Sequence, residues 1–334
     1  MTIRAYAVLQ AGGELEPFEY DPGELKPEQV EIDVEYCGVC HSDLSMLNND
    51  WAISQYPLIP GHEAIGKIAA VGSNVKTLKV GQRVGLGWFS GSCLHCEWCV
   101  KGYQNLCSTA EETIVGRHGA FANKVRSNYE WAIPLPEEID PAIAGPLFCG
   151  GVTAFNPIVE LNLKATDRVG VIGIGGLGHM ALKFLDAWGC EVTAFSSSPD
   201  KKAEALEMGA DYFVNSRDSD AIASLANSFD AIISTVNVDL DWNSYVNALR
   251  PMGKLNFIGA VPNPISVAVF PLIVGQKSIS ATSLGSPTVV SQMLNFVVRH
   301  QIKPTVEIYD LDRLNQAIAR LRDGKARYRL VLKH

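Results

Sequence analysis

A chain of 334 residues is longer than one hydrophobic core organises, so two domains are the expectation. Hydrophobic residues at 47% against charged residues at 19% exclude a disordered chain, and a net charge of -8 without a basic stripe excludes a nucleic-acid surface. No stretch reaches the roughly 20 apolar residues that span a bilayer. The opening MTIRAYAVLQAGGELEPFEY has no signal-peptide core, so a cytoplasmic protein without a membrane partner is expected.

In a reducing cytosol disulfides are disfavoured, and eight cysteines then ask for another purpose. The first two fall in YCGVCHSDL, residues 36–44, which offers Cys40 with Cys37 as a packed neighbour. Residues 60–66, PGHEAIG, offer His62 with Glu63 beside it. Taken singly, Cys40 reads as a small core residue and His62 as a hydrogen-bonded turn histidine. The run that begins at residue 91, GSCLHCEWCVKGYQNLC, is more specific. Cys93, Cys96, Cys99 and Cys107 form C-x2-C-x2-C-x7-C, and four thiolates at that spacing wrap one tetrahedral zinc with no position left for water. Such a site is structural. An iron–sulfur cluster is the competing metal, but the spacing does not match the ferredoxin patterns. Four unliganded thiols so close together would be an oxidation liability.

From Asp167 the chain reads DRVGVIGIGGLGHMALKFLDAWGCEVTAFSSSPDKK. An apolar run, glycine punctuation, an amphipathic helical pattern and a second apolar run make a β-α-β unit. Gly173, Gly175 and Gly178 form G-x-G-x-x-G at the strand-to-helix turn, where a dinucleotide pyrophosphate meets a helix N-terminus. The second strand ends in Ser196, Ser197 and Ser198, followed by Lys201 and Lys202, and not in the carboxylate that holds a ribose 2′-hydroxyl. Hydroxyls with an ammonium suit a 2′-phosphate, which points to NADP(H). Read as a plain polar turn, the serines leave NAD open. Asp200, beyond Pro199, reads as a cap of the next helix. FDAIISTVN (229–237), GKLNFIGA (253–260) and KSISATSLGS (277–286) read as further strands of about six in all. A helical pattern over 288–303 and a last strand, YRLVLKH, return to the first domain.

CGVCHSD, GHE and the four-cysteine run, in this order and followed by the glycine motif, resemble the zinc-containing medium-chain dehydrogenase/reductase family over essentially the whole chain. Within it the chain is most similar to the cinnamyl-alcohol-dehydrogenase-like branch, which continues with PL-x-C-x-G-x-T. Here that segment is PLFCGGVTAFNPI, residues 146–158. The resemblance implies an α/β chain. A GroES-like, mostly β catalytic domain would take residues 1–150 and 286–334, and a Rossmann-type doubly wound parallel sheet binding the nucleotide would take 151–285. It also implies a catalytic zinc on Cys40, His62 and Cys149, hence two zinc ions per chain. Three protein ligands with one open position is the usual catalytic arrangement.

The same resemblance assigns roles around that centre. Ser42 would begin a proton relay and Glu63 would sit close behind the metal. Two readings stand open for Asp43, a partner of the far His62 nitrogen or a helix cap. His41 reads either as a contact to the cofactor pyrophosphate or as a surface turn residue. Gly176, Leu177 and Thr153 join the cofactor contacts. The implied activity is hydride transfer between a nicotinamide and an aldehyde or primary alcohol. Trp51, Tyr56, Trp88, Phe89 and Trp98 lie in segments of the family's substrate cleft and favour aromatic or medium-chain compounds, with Trp88 and Phe89 nearest the pocket. A polyol dehydrogenase of the same superfamily is the nearest alternative, although it typically carries a carboxylate in place of Cys149. A non-catalytic NADP-binding redox sensor would need no open metal site. The resemblance alone implies a homodimer, since relatives pair through edge strands of the nucleotide-binding domain, and KSISATSLGS is the candidate edge. One departure stands out: many cinnamyl-type relatives end the proton relay on a histidine where this chain has Ser45.

Overall fold

The structure, a computed structural model, describes residues 2–334. It divides into two compact units. Thr153–Leu284 forms one, and the residues up to Val152 together with those from Gly285 onward form the other.

The discontinuous unit is mostly β. Its main sheet runs in the order Val306–Asp310, Arg329–Lys333, Gln29–Val39, Ala64–Val71, Arg83–Leu86 and Ile133–Pro134, and Lys124–Asn128 also pairs with the long Gln29–Val39 strand. Ile3–Ala7 pairs antiparallel with Glu16–Tyr20 in a separate ribbon. Its period-two pattern turns Ile3, Ala5 and Ala7 inward, as a half-buried strand requires. Two pairings position chemistry. The strand near the C-terminus lies antiparallel to the end of Gln29–Val39, with Leu330 opposite Val39 and Leu332 opposite Cys37, which brings Arg329 beside Cys40. The short strands Phe89–Gly91 and Glu111–Glu112 pair with each other and close the neck of the four-cysteine loop. The helix after residue 286 runs Pro287–His300, capped by the Ser286 hydroxyl, which accepts from the Val289 amide at 3.4 Å.

Thr153–Leu284 carries a six-stranded parallel sheet. Its order is Tyr212–Asn215, Glu191–Ser196, Arg168–Ile172, Phe229–Ser234, Leu249–Phe257 and Ser278–Ala281, which in chain order is 3-2-1-4-5-6, the doubly wound arrangement. Strands covered on both faces are apolar without alternation, and Val169, Gly170, Val171 and Ile172 are all buried. The helix Gly178–Trp188 buries Met180, Ala181, Leu182, Phe184 and Leu185 and stops at Gly189, whose φ of 98° makes the left-handed cap. Phe195, Ile232, Trp242, Tyr245 and Leu255 centre a core between sheet and helices. The turn after the second strand differs from the sequence reading. Ser198 starts a 3-10 turn over Pro199–Lys201, so Asp200 lies inside the turn and does not cap the helix that follows.

Among the described residues no single helix is long and apolar enough to cross a membrane. The bent pair Pro141–Phe148 and Gly150–Glu160 is apolar because its residues are largely buried in the protein.

Candidate active site and metal centres

Cys40 ends the extended segment of the long strand and is the N-cap of the helix His41–Asn48. Asp43, at the third helical position, returns Oδ2 to the Cys40 amide at 2.9 Å. Its other oxygen accepts from the Gly61 amide at 2.8 Å and faces His62 Nδ1 at 2.9 Å. Asp43 is therefore both cap and histidine partner, and the two readings of the sequence describe one side chain. A carboxylate on Nδ1 keeps the proton there and leaves Nε2 as the bare donor. That nitrogen lies 3.4 Å from Cys149 Sγ, and Cys149 Sγ lies 3.8 Å from Cys40 Sγ. Cys149 reaches this point from the buried turn before the helix Gly150–Glu160.

The donors of Cys40, His62, Glu63 and Cys149 all lie within 4.8 Å of one another, and all four residues are buried. Zinc–ligand lengths of about 2.0–2.3 Å in a tetrahedron require ligand separations of roughly 3.3–3.8 Å, so this donor set fits zinc. Burial alone would lower the His62 imidazole, but the Asp43 charge and hydrogen bond hold it well above its ordinary value. The hydrogen bond from Cys149 holds the Cys40 thiol well below its usual range, against the desolvation that burial imposes, and Cys149 is pushed up in turn. A divalent ion is what allows both sulfurs to be thiolates at so short a separation.

Glu63 carries the centre's second layer. It forms a buried ion pair with Arg329, and its Oε2 has no hydrogen-bond partner. Burial pushes its carboxyl up to about 7, against the pull of the guanidinium. Gly38 makes room for it, because a Cβ at that position would run into the Glu63 side chain. Arg329 is the residue that sequence reasoning missed. It lies 266 residues from Glu63, and only the antiparallel pairing of the last strand brings it there.

The four cysteines of the loop also converge, with donors within 4.8 Å of one another. Cys93 Sγ is 3.9 Å from Cys99 Sγ and accepts from the Cys96 amide at 3.3 Å, a contact that favours thiolate. Burial pushes Cys99 up to about 12; burial would also raise Cys107, but hydrogen bonds from Cys93 and Thr109 bring it down to about 6.

The flanking side chains separate. Ser42 Oγ lies 3.8 Å from Cys40 Sγ. His41 is exposed, and Ser45 is buried at 5% exposure. The rings of Trp88 and His62 meet nearly perpendicular with centroids 5.1 Å apart, and Trp88 meets Trp51 at 5.9 Å. Phe89 is buried against Trp131, with ring centroids 5.2 Å apart. Tyr56 donates to the Leu47 carbonyl at 3.2 Å, and Trp98 is exposed on the cysteine loop.

In the other unit Gly173 has φ +89°, a conformation a larger side chain would resist, and a Cβ on Gly178 would strike the Gly173 carbonyl. Nothing lies within 4 Å of a Cβ built on Gly175, so that face of the loop is open. Gly176 and Leu177 lead into the helix from Gly178, and Thr153 is buried in Gly150–Glu160. Ser196 is also buried, its hydroxyl accepting from the Ser198 amide at 3.2 Å, so Ser197 and Ser198 carry the accessible hydroxyls. Lys201 Nζ donates to the Ile174 carbonyl at 2.8 Å and ties the serine turn to the glycine loop.

Residues 26–137 match the model of the alcohol dehydrogenase GroES-like domain, and residues 176–299 match that of the zinc-binding dehydrogenases. An aldehyde reductase, AdhA, of a Synechocystis species is 57% identical, over 99% of both chains. A cinnamyl alcohol dehydrogenase structure from Sorghum bicolor superposes with a TM-score of 0.95 at 34% identity, covering 100% of this chain and 98% of that one. A Helicobacter pylori cinnamyl alcohol dehydrogenase complexed with NADP(H) superposes with a TM-score of 0.91 at 28% identity, again over 100% and 98%.

Proposed function

The chain belongs to the zinc-containing medium-chain alcohol dehydrogenases, on their cinnamyl-alcohol-dehydrogenase-like side, and is an alcohol dehydrogenase or aldehyde reductase; from that premise we propose a zinc-dependent, NADP(H)-linked reductase of aromatic or medium-chain aldehydes. The convergence of Cys40, His62 and Cys149 with Ser42 beside them carries this reading. Cys40, His62 and Cys149 hold the catalytic zinc, Cys93, Cys96, Cys99 and Cys107 the structural one. Bound zinc supplies Lewis acidity at the substrate oxygen, and NADPH supplies the hydride.

The chain's own residues do the rest. Asp43 fixes the His62 tautomer and ring orientation. Ser42 both donates and accepts, so its hydroxyl can pass a proton to the nascent alkoxide. Trp88, held against His62, and Trp51 present flat apolar faces that exclude water and suit an aryl or alkenyl group. Gly173, Gly175, Gly176, Leu177 and Gly178 receive the pyrophosphate, with Thr153 as a further cofactor contact. Ser197, Ser198 and Lys201 favour a 2′-phosphate, and the turn offers no carboxylate at the position that selects NAD. The NADP(H)-bound neighbour supports the same choice.

The test is initial rates with NADPH and NADH against aliphatic and aromatic aldehydes. NADPH preference with activity on cinnamaldehyde- or benzaldehyde-like compounds is expected. NADH preference would reduce the serines to a turn, and activity only on polyols would displace the aldehyde reading.

A homodimer fits the edge strand Ser278–Ala281 and the preceding helix Val269–Gly275, which leaves Val269, Phe270, Ile273 and Val274 at least 63% exposed. Light scattering on wild type and Phe270→Asp tests it, with a dimer and a monomer expected. Eight cysteines with no disulfide among the described residues fit a cytoplasmic setting.

A further inference from the structure

The serine turn has a neighbour that the sequence reading passed over. Glu191–Ser196 and Tyr212–Asn215 are parallel, with Ser196 opposite Asn215, so their carboxyl ends open on the same edge of the sheet. Ligands of doubly wound sheets gather at that edge. The pairing runs one step further, where the Ser216 amide donates to the Ser196 carbonyl at 3.0 Å. Beyond it the chain turns: Asn215 Oδ1 accepts from the Arg217 amide at 3.1 Å, and the Asn215 carbonyl accepts from the Asp218 amide at 3.0 Å. Asp218 is committed to capping the next helix, accepting from the Ala221 amide at 3.0 Å. Arg217 is left exposed, and among the described residues its guanidinium has no ion-pair partner.

We propose that Arg217 is a second cationic arm for the cofactor 2′-phosphate and so a specificity-determining residue. This rests on the NADP(H) reading above. A phosphate monoester carries a charge of about -1.5 to -2 at neutral pH. The turn itself supplies Lys201, whose ammonium also holds the Ile174 carbonyl, with the acid Asp200 next to it. Lys201 so placed leaves the phosphate under-compensated, and the next residue, Lys202, which opens the helix Lys202–Glu207, adds an ammonium but no fork. Arg217 stands one strand away from the serines, a spacing of about 4.8 Å, which a long side chain bridges. A guanidinium fork can grip two phosphate oxygens at once, a role an ammonium does not fill. The serine hydroxyls, Lys201 on the glycine-loop side and Arg217 on the outer-strand side would then surround the group from three directions.

Titration calorimetry of the whole protein with 2′,5′-ADP and 5′-AMP tests this, because the two ligands differ only in the 2′-phosphate. Wild type should bind 2′,5′-ADP more tightly. Arg217→Ala should lose at least about tenfold on 2′,5′-ADP and nothing on 5′-AMP, and Arg217→Lys should recover part of the loss. An exposed side chain without partners should leave Tm unchanged, so weakened binding cannot be ascribed to unfolding. If wild type discriminates and Arg217→Ala discriminates equally well, the inference is overturned while the NADP(H) reading stands. Equal losses on both ligands would also overturn it, since they would show a general electrostatic effect. If wild type binds both ligands alike, the NADP(H) reading itself fails and the inference with it.

Discussion

The sulfurs of Cys93, Cys96, Cys99 and Cys107 come from one short loop and two of these residues are partly exposed, whereas Cys40 and Cys149 are separated by 109 positions and sealed from solvent with His62. The loop set has four like donors, a backbone amide as support and, among the described residues, no fully buried charge behind it. The other set has mixed donors, and buried Asp43, Glu63 and Arg329 stand directly behind them. Buried charges are costly and persist where they are paired. A site that only pins a loop has no use for them. One that must orient an imidazole and govern the charge felt by a bound metal does, and the proposed division into a structural and a chemical site rests on this contrast.

Removing one ligand from each site should split activity from stability. Cys149→Ala should lower kcat on the order of 10³-fold, since Lewis-acid activation is worth several kcal/mol. Metal analysis should fall from two zinc ions per chain to one, and a variant that keeps both would place Cys149 outside the site. Arg329→Met tests the buried charge layer. It leaves the Glu63 carboxylate without its cation and should destabilise by about 3–5 kcal/mol. Glu63→Gln added to it should restore much of that loss in a denaturant titration; if the two changes are simply additive, the ion pair is not what Arg329 contributes. Cys99→Ser should remove the loop's zinc and cost roughly 5–10 °C of Tm, while the folded fraction keeps its kcat. Unchanged Tm and metal content would sink the structural assignment.

How much of this could be read from the chain follows the same contrast. The loop site is local, so spacing alone suggested its ligand set before any fold was known. Five of the six parallel strands were legible because buried strands repeat apolar residues between glycine and asparagine breaks, whereas Tyr212–Asn215, a short edge strand with no fully buried residue, was counted only in a total of about six. Cys40, His62 and Cys149 were ambiguous singly, and only their order along the chain, matched to a family, joined them. Arg329 left no local signal, since RLVLK reads as an ordinary strand and its pairing with Gln29–Val39 is a tertiary fact. Asp43 had two competing readings because one carboxylate can serve a helix terminus with one oxygen and a histidine with the other.

The finest difference concerns the proton and not the metal. In many relatives a histidine ends the relay that begins at the equivalent of Ser42, while here Ser45 occupies that place and is buried, so it neither titrates near neutrality nor opens to solvent. The turnover of wild type should therefore show no ionisation near the usual histidine value of about 6.5. His41 is the histidine to test against that expectation, being exposed and adjacent to Ser42. Profiles of kcat against pH for wild type and His41→Gln should superpose in shape. A step near 6.5 that disappears in His41→Gln would mean that the proton leaves through His41. A step that survives in His41→Gln and vanishes only when a different histidine is replaced would remove Ser45 from the explanation, because a titrating group would then serve the relay in spite of it.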